Sequence, residues 1–204
     1  MDAMHTPIAQ LRRNLLQNRA DFLKSAAFQG EYLALLVSLE RFLSSLGSHH
    51  QAVAFCWPYK DEPDLRKPLL DWLHSAPNRK LLLPKIRPDH KLDFYTWSES
   101  DPLILNSFGI AEPNPQYPGV LRVKPDCILI PCVGWSVVNN RFWRLGYGGG
   151  YFDRTIASLK KEGQPFKAIG IGFDWQKLNG EDWAPQNHDQ PLDYLITNSG
   201  AYSS

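Results

Sequence analysis

Residues 144 to 154 read RLGYGGGYFDR. Three consecutive glycines, Gly148, Gly149 and Gly150, with Gly146 just before them, permit backbone conformations closed to other residues and put no side chain in the way of a ligand. Main-chain amides can then close around phosphate oxygens. The following YFDRTIASLKK has helical character, so the loop sits where free N–H groups and the positive end of a helix dipole favour an anion. Arg144 and Arg154 frame it with positive charge. Asp153 is the informative residue, since a carboxylate beside a phosphate repels it unless a cation stands between them. Magnesium, held by one or two carboxylates together with phosphate oxygens, suits that position. A plainer reading of the same residues is a glycine-rich turn with Asp153 as helix N-cap. The loop matches neither the G-x-x-x-x-G-K-[ST] phosphate loop nor the dinucleotide pattern G-x-G-x-x-G.

Such a loop needs a scaffold, and the apolar runs supply one. The spacing of Ile8, Leu11, Leu15 and Phe22 predicts a helix to about Lys24, with Arg12 and Arg19 two turns apart on a neighbouring face. A second helix is expected from Glu31 to Leu46, ending at Gly47, and a short third one around Leu69, Leu70 and Leu73. AVAFCW (52 to 57), KLLLPKI (80 to 86), CILIPCV (127 to 133), KAIGIGF (167 to 173) and DYLIT (193 to 197) are short and apolar on both faces. Strands of this kind belong to a parallel sheet covered by helices on both sides. The expected fold is therefore a three-layer α/β sandwich, Rossmann-like, over one domain spanning residues 1 to 204. LDFYTW, 92 to 97, alternates and reads as an edge strand or part of a hairpin. The proline-rich EPNPQYPG, 112 to 119, is expected to lack regular structure.

Bulk composition narrows the function. With 22 basic and 21 acidic side chains the chain has no overall field to gather nucleic acid or an anionic membrane, so an anion site must be local. Cys56, Cys127 and Cys132 form no C-x-x-C pair and read as core thiols. The first twenty residues hold no apolar stretch of signal-peptide length, and no run approaches the roughly 20 apolar residues of a membrane span. A cytoplasmic protein acting on small molecules, as monomer or homodimer, is expected.

RLGYGGGYFDR resembles the signature of the 5-formyltetrahydrofolate cyclo-ligases, also called methenyltetrahydrofolate synthetases. The resemblance extends through IAQLR with the later Arg19, through WPYKDEPD (57 to 64), through GIAEP (109 to 113) and through PQNHDQPLDYLIT near the end. It implies ATP and Mg2+ as cofactors and the conversion of 5-formyltetrahydrofolate to 5,10-methenyltetrahydrofolate, with release of ADP and phosphate. By that likeness Arg144 and Arg154 are the catalytic cations. Arg12, Arg144, Leu145, Gly146, Tyr147, Gly148, Gly149, Gly150, Tyr151 and Phe152 contact the nucleotide. Trp57, Glu62 and the loop from Gly148 to Tyr151 contact the folate, and Asp153 and Asp189 hold the metal.

The likeness has gaps. Ile8 stands where the family usually has a basic residue, and Trp135 and Ser136 occupy the region of a Phe-Asp pair, with a longer connection to Arg144. Read from the residues alone, Glu62 also fits a solvated turn acid, Trp57 and Tyr59 fit packing as well as stacking on a flat ring, and Arg12 fits a solvated helix face. Turn capping suits Asn187 to Asp189 as well as metal binding does, and His188 is a less natural magnesium ligand than oxygen. Two rival functions remain: a sugar-phosphate or acyl-group enzyme on a similar fold, and a non-catalytic folate- or nucleotide-binding protein.

Overall fold

A computed structural model describes residues 8 to 204. The first seven residues, part of the expected 1 to 204 domain and of the amino-terminal stretch expected to lack a signal peptide, lie outside the described residues. In chain order the elements are α1 (Ile8–Phe22), α2 (Phe28–Ser45), β1 (Ala52–Ala54), α3 (Arg66–His74), β2 (Lys80–Ile86), β3 (Leu92–Trp97), β4 (Leu103–Leu105), β5 (Ala111–Pro113), β6 (Cys127–Pro131), β7 (Gly134–Val138), β8 (Arg141–Leu145), α4 (Tyr151–Lys161), β9 (Lys167–Ile171), a 3-10 turn (Asp174–Gln176), β10 (Tyr194–Thr197) and β11 (Gly200–Ser203).

Seven strands form the central sheet in the order β11-β10-β9-β6-β1-β2-β3. The five inner strands run parallel, and β3 and β11 close the two sides antiparallel. One face carries Val53, Leu81, Leu83, Leu129 and Ile169 against Leu35, Leu39 and Phe42 of α2 and Leu69 and Trp72 of α3. The other carries Ala54, Leu82, Ile128 and Ala168 against Ile156 and Leu159 of α4. Burial on both faces is why these strands read as unbroken apolar runs. The three-layer α/β architecture is as the sequence led one to expect, and LDFYTW is the antiparallel edge strand.

α1 behaves differently. Its Phe22 joins the α2 and α3 side of the core, while Leu15 packs with Val133, Leu145, Leu178 and Trp183 at the end of the sheet, which sets its polar side against the loops that leave the strands.

Three expectations need correction. β1 stops at Ala54, because ladder partners exist only for Ala52 to Ala54 on β2 and for Val53 and Ala54 on β6. Glu112 and Pro113 are not irregular: with Ala111 they pair Leu103 to Leu105 in a two-stranded antiparallel ribbon, where a proline at the strand's last position removes no needed donor. Residues 134 to 145 are not a plain connection either, but a β-hairpin, β7 with β8. Its turn residues Asn139 and Asn140 have φ of 51° and 57°, the left-handed pair that suits a tight hairpin and that asparagine tolerates.

The sheet centre sets the stability. Leu129 is 1% exposed, and Leu129→Ala is expected to lower the free energy of unfolding by about 3 kcal/mol through lost transfer energy and a residual cavity. A fall in the urea midpoint at unchanged slope is the expected signature; an unchanged midpoint would contradict this placement of the core.

Candidate active site

From β1 the chain winds outward through α3 to β2 and then β3, and later returns to place β6 on the other side of β1 before continuing to β9 and β10. The winding reverses between β1 and β6. In open α/β sheets the loops leaving the carboxyl ends of such strands part there and leave a crevice. A cleft of about 490 Å³ lies at this place, with Cys56 and Trp57 after β1, Pro84 and Ile86 at the end of β2, and Pro131 at the end of β6 among its walls.

The glycine loop forms one wall. Gly148 and Gly150 have φ of 99° and 65°, a region costly for any residue with a Cβ. Gly150 is also the N-cap of α4. Space adds a second constraint at Gly148, where a Cβ would stand 3.2 Å from the Arg12 guanidinium. Arg12 reaches the loop from α1, and its Nε donates to the Gly146 carbonyl at 2.9 Å. Burial lowers the pKa of this guanidinium, and the nearby Asp189 carboxylate opposes that shift.

Arg144, on β8, is 8% exposed. It donates to Asp153 Oδ2 at 2.9 Å, while Asp153 Oδ1 accepts the Gln190 amide at 3.1 Å. Asp153 therefore sits in the first turn of α4 without capping it, and the cation facing it is Arg144. The Arg144 Nε–H is buried with no partner among the described residues, so one donor of this fork remains unused. Asp189 closes its own turn, accepting the Gln186 amide at 2.7 Å and donating its amide to the Gln186 carbonyl.

In contact with the loop, Glu62 ends a turn from Tyr59. Its Oε2 accepts the Tyr59 amide at 3.1 Å, and its Oε1 accepts the Tyr147 hydroxyl at 2.6 Å. Burial pushes the Glu62 carboxyl up to about 7, against the opposing influence of Tyr147, Arg19 and the Tyr59 amide. Burial and the Glu62 charge likewise hold the Tyr147 phenol protonated. Between them Lys60 and Asp61 have φ of 47° and 62°, a conformation costing about 1 kcal/mol or more each for residues other than glycine. Trp57 lines the same cleft, with the Arg66 guanidinium 4.6 Å from its ring centre.

Arg12, Trp57, Glu62, Asp153, Asp189 and every residue from Arg144 to Phe152 line this one cleft. Arg154 does not: its guanidinium donates to the Gly149 and His90 carbonyls. The cleft also holds residues without an expected role, including Arg13, Lys60, Asn106 and Glu112. Glu112 is 5% exposed and ties the β4–β5 ribbon to β2, accepting the Ile86 amide, the Asn106 side-chain amide and the Lys85 ammonium. The motif GIAEP contains it, but a role for the glutamate depends on partners distant in sequence. Among the described residues no group of three or more His, Cys, Asp or Glu side chains forms a cage for a metal ion.

A doubly wound α/β sheet with a ligand-sized crevice at its reversal point defines a protein that handles a small molecule. A sequence model of the 5-formyltetrahydrofolate cyclo-ligase family matches residues 7–198, and the chain belongs to that family. A 5-formyltetrahydrofolate cyclo-ligase of Mycolicibacterium smegmatis is 34% identical over 195 residues, covering 93% of this chain and 92% of its own. The probable 5-formyltetrahydrofolate cyclo-ligase of Schizosaccharomyces pombe is 31% identical over 129 residues, and the match spans 58% of this chain and 61% of that protein. The NMR structure of Aquifex aeolicus 5,10-methenyltetrahydrofolate synthetase superposes with a TM-score of 0.67 at 26% identity, over 96% of this chain and 92% of that one.

The Glu62 environment has a measurable consequence. Below pH 4.5, its ordinary value, Glu62 is protonated folded or unfolded; between 4.5 and about 7 only the unfolded chain releases the proton, so stability falls as pH rises through that window. Glu62→Gln, which cannot ionise, is expected to gain on the parent by up to about 3 kcal/mol between pH 4 and pH 8. Urea unfolding at both pH values tests this, and a difference between the two proteins that stays constant with pH would refute it.

Proposed function

We propose that the chain is a one-domain, ATP-dependent 5-formyltetrahydrofolate cyclo-ligase that works in the cytoplasm on small molecules, as a monomer or homodimer. One observation carries the reading: the glycine loop with Arg12 and Arg144, and Glu62 with Trp57, line a single cleft. That is the arrangement needed to hold a nucleotide against a folate.

A formamide oxygen is a poor leaving group, and phosphorylation cures this. The formyl oxygen attacks the γ-phosphate, ADP leaves, the neighbouring secondary amine closes on the formyl carbon and sheds its proton, and phosphate departs to leave the methenyl bridge. Phosphoryl transfer asks mainly for alignment and charge neutralisation. The loop amides, the Arg12 and Arg144 guanidinium groups and the free Arg144 donor suit that demand, each well-placed donor supplying roughly 3 kcal/mol of transition-state stabilisation. Arg13, which lines the same cleft as Ile8, offers a further positive charge where Ile8 lacks one. Arg154 supports the loop through the Gly149 carbonyl and can turn to phosphate only by releasing it. Glu62, titrating near neutrality, is suited to take up the proton lost in ring closure.

Asp153 and Asp189 line the same cleft, and a magnesium ion bound by one or two carboxylates with phosphate oxygens and water matches this donor set better than an all-protein cage would. Bound there, the ion would offset the negative charge of the phosphates.

The assay is direct. Purified protein is mixed with 5-formyltetrahydrofolate, Mg2+ and ATP, and the methenyl chromophore is followed. Growth that requires ATP is expected; growth without it, or none with it, overturns the reading. Arg144→Lys, which keeps the charge but loses the fork that serves both Asp153 and a phosphate, is expected to lower kcat about a hundredfold.

A further inference from the structure

Arg19 is charged yet only 3% exposed, and it lies outside the cleft walls. From α1 it reaches three separate segments. One guanidinium nitrogen donates to the Lys60 carbonyl at 3.2 Å and to the Tyr147 hydroxyl at 2.8 Å, and the other donates to the Cys132 carbonyl at 2.8 Å. Lys60 belongs to the turn after β1, Cys132 follows β6, and Tyr147 opens the glycine loop. These are the two strand ends at the winding reversal and the loop that faces them.

We propose that Arg19 is a positioning residue for the substrate end of the cleft: its fork clamps the Tyr59–Glu62 turn, the end of β6 and the Tyr147 phenol into one arrangement that aims Glu62 at the ligand. The turn has its own bonds between Tyr59 and Glu62, but its two central residues are strained. Lys60 and Asp61 are both left-handed, and the bond from Arg19 to the Lys60 carbonyl fixes the peptide at their junction. The same side chain orients the Tyr147 hydroxyl, which accepts from Arg19 and donates to Glu62, so guanidinium charge reaches the carboxylate through one phenol. Only arginine presents donors in a rigid plane that can serve three acceptors; lysine is a point charge on a flexible stem. Gln176 completes the clamp, its side-chain amide donating to the Cys132 carbonyl at 2.7 Å.

The groups around Glu62 are few. Arg19 faces it from α1, Tyr147 from the glycine loop, the Cys56 thiol from the segment after β1 and the Cys132 thiol from the end of β6, and the Lys60 ammonium lies over the Tyr59 and Tyr147 rings. Among these Arg19 is the buried positive charge, so its removal must raise the pH at which Glu62 ionises.

The kinetic readout rests on the cyclo-ligase reading; the titration does not. In ligand-free protein, Glu62 is followed by carbon-13 NMR of the labelled side-chain carboxyl, assigned with Glu62→Gln. Arg19→Gln is expected to move the midpoint upward by at least about half a pH unit, and Arg19→Lys to move it less. In the assay with ATP and 5-formyltetrahydrofolate, both variants are expected to raise KM for the folate at least fivefold while KM for ATP changes less than twofold. An unmoved midpoint in Arg19→Gln, or equal rises in both KM values, overturns the proposal. If Arg19→Gln does not fold, the KM split in Arg19→Lys decides. Should the unaltered protein form no methenyl product, the activity assignment fails and the titration still judges Arg19.

Discussion

Two neighbouring parallel strands whose crossovers depart in opposite directions cannot both have their carboxyl ends roofed by the same helix layer. β1 and β6 are that pair. The gap they leave is a consequence of topology, and the site is assembled from what lies beside it: the turn after β1, the end of β2, the end of β6, and the hairpin and glycine loop that lead into α4. α1 is the piece that makes this gap a site rather than an open groove. By packing across the sheet end on Leu15 it brings Arg12 to the loop and Arg19 to the strand ends.

The charge arrangement follows the same geometry. Positive groups come from α1, from β8 and from Lys60, and negative groups from the Glu62 turn, β5, the first turn of α4 and the 186 to 189 turn. Arg144 and Asp153 meet with side chains 6% and 14% exposed, so the pair is little screened by solvent and fixes β8 against α4. An isolated buried pair of this kind is weak grounds for stability, because desolvation offsets the attraction. Its value here is orientation, since it sets the loop between them at a defined opening.

The sequence made the sheet legible because its inner strands are apolar on both faces, and the turn before α4 legible because consecutive glycines interrupt strand and helix alike. Alternation marked LDFYTW as an edge strand or part of a hairpin, and β3 is both, at the sheet edge and antiparallel to β2. The two ribbons, 103 to 113 and 134 to 145, escaped because their strands of three and five residues carry mixed faces and a proline, and pairing between distant residues decides them. For the same reason the sequence placed Arg12 and Arg19 on one helix but could not tell that one would touch the glycine loop and the other would be buried against two strand ends. Arg154 flanks the glycines in sequence, yet the helix turns it away toward the Gly149 and His90 carbonyls. Adjacency along the chain is a poor guide to which guanidinium faces a ligand once a helix has begun between them.

Cys56 stands in the wall of the cleft a few ångströms of chain from Trp57, where a reactive thiol would be exposed to any electrophile that enters. Burial and the neighbouring Glu62 charge push its pKa upward, and the thiolate is the species that oxidants and alkylating reagents attack. Burial first, and the carboxylate beside it second, thereby hold the sulfur in its thiol form, the less reactive of its two states.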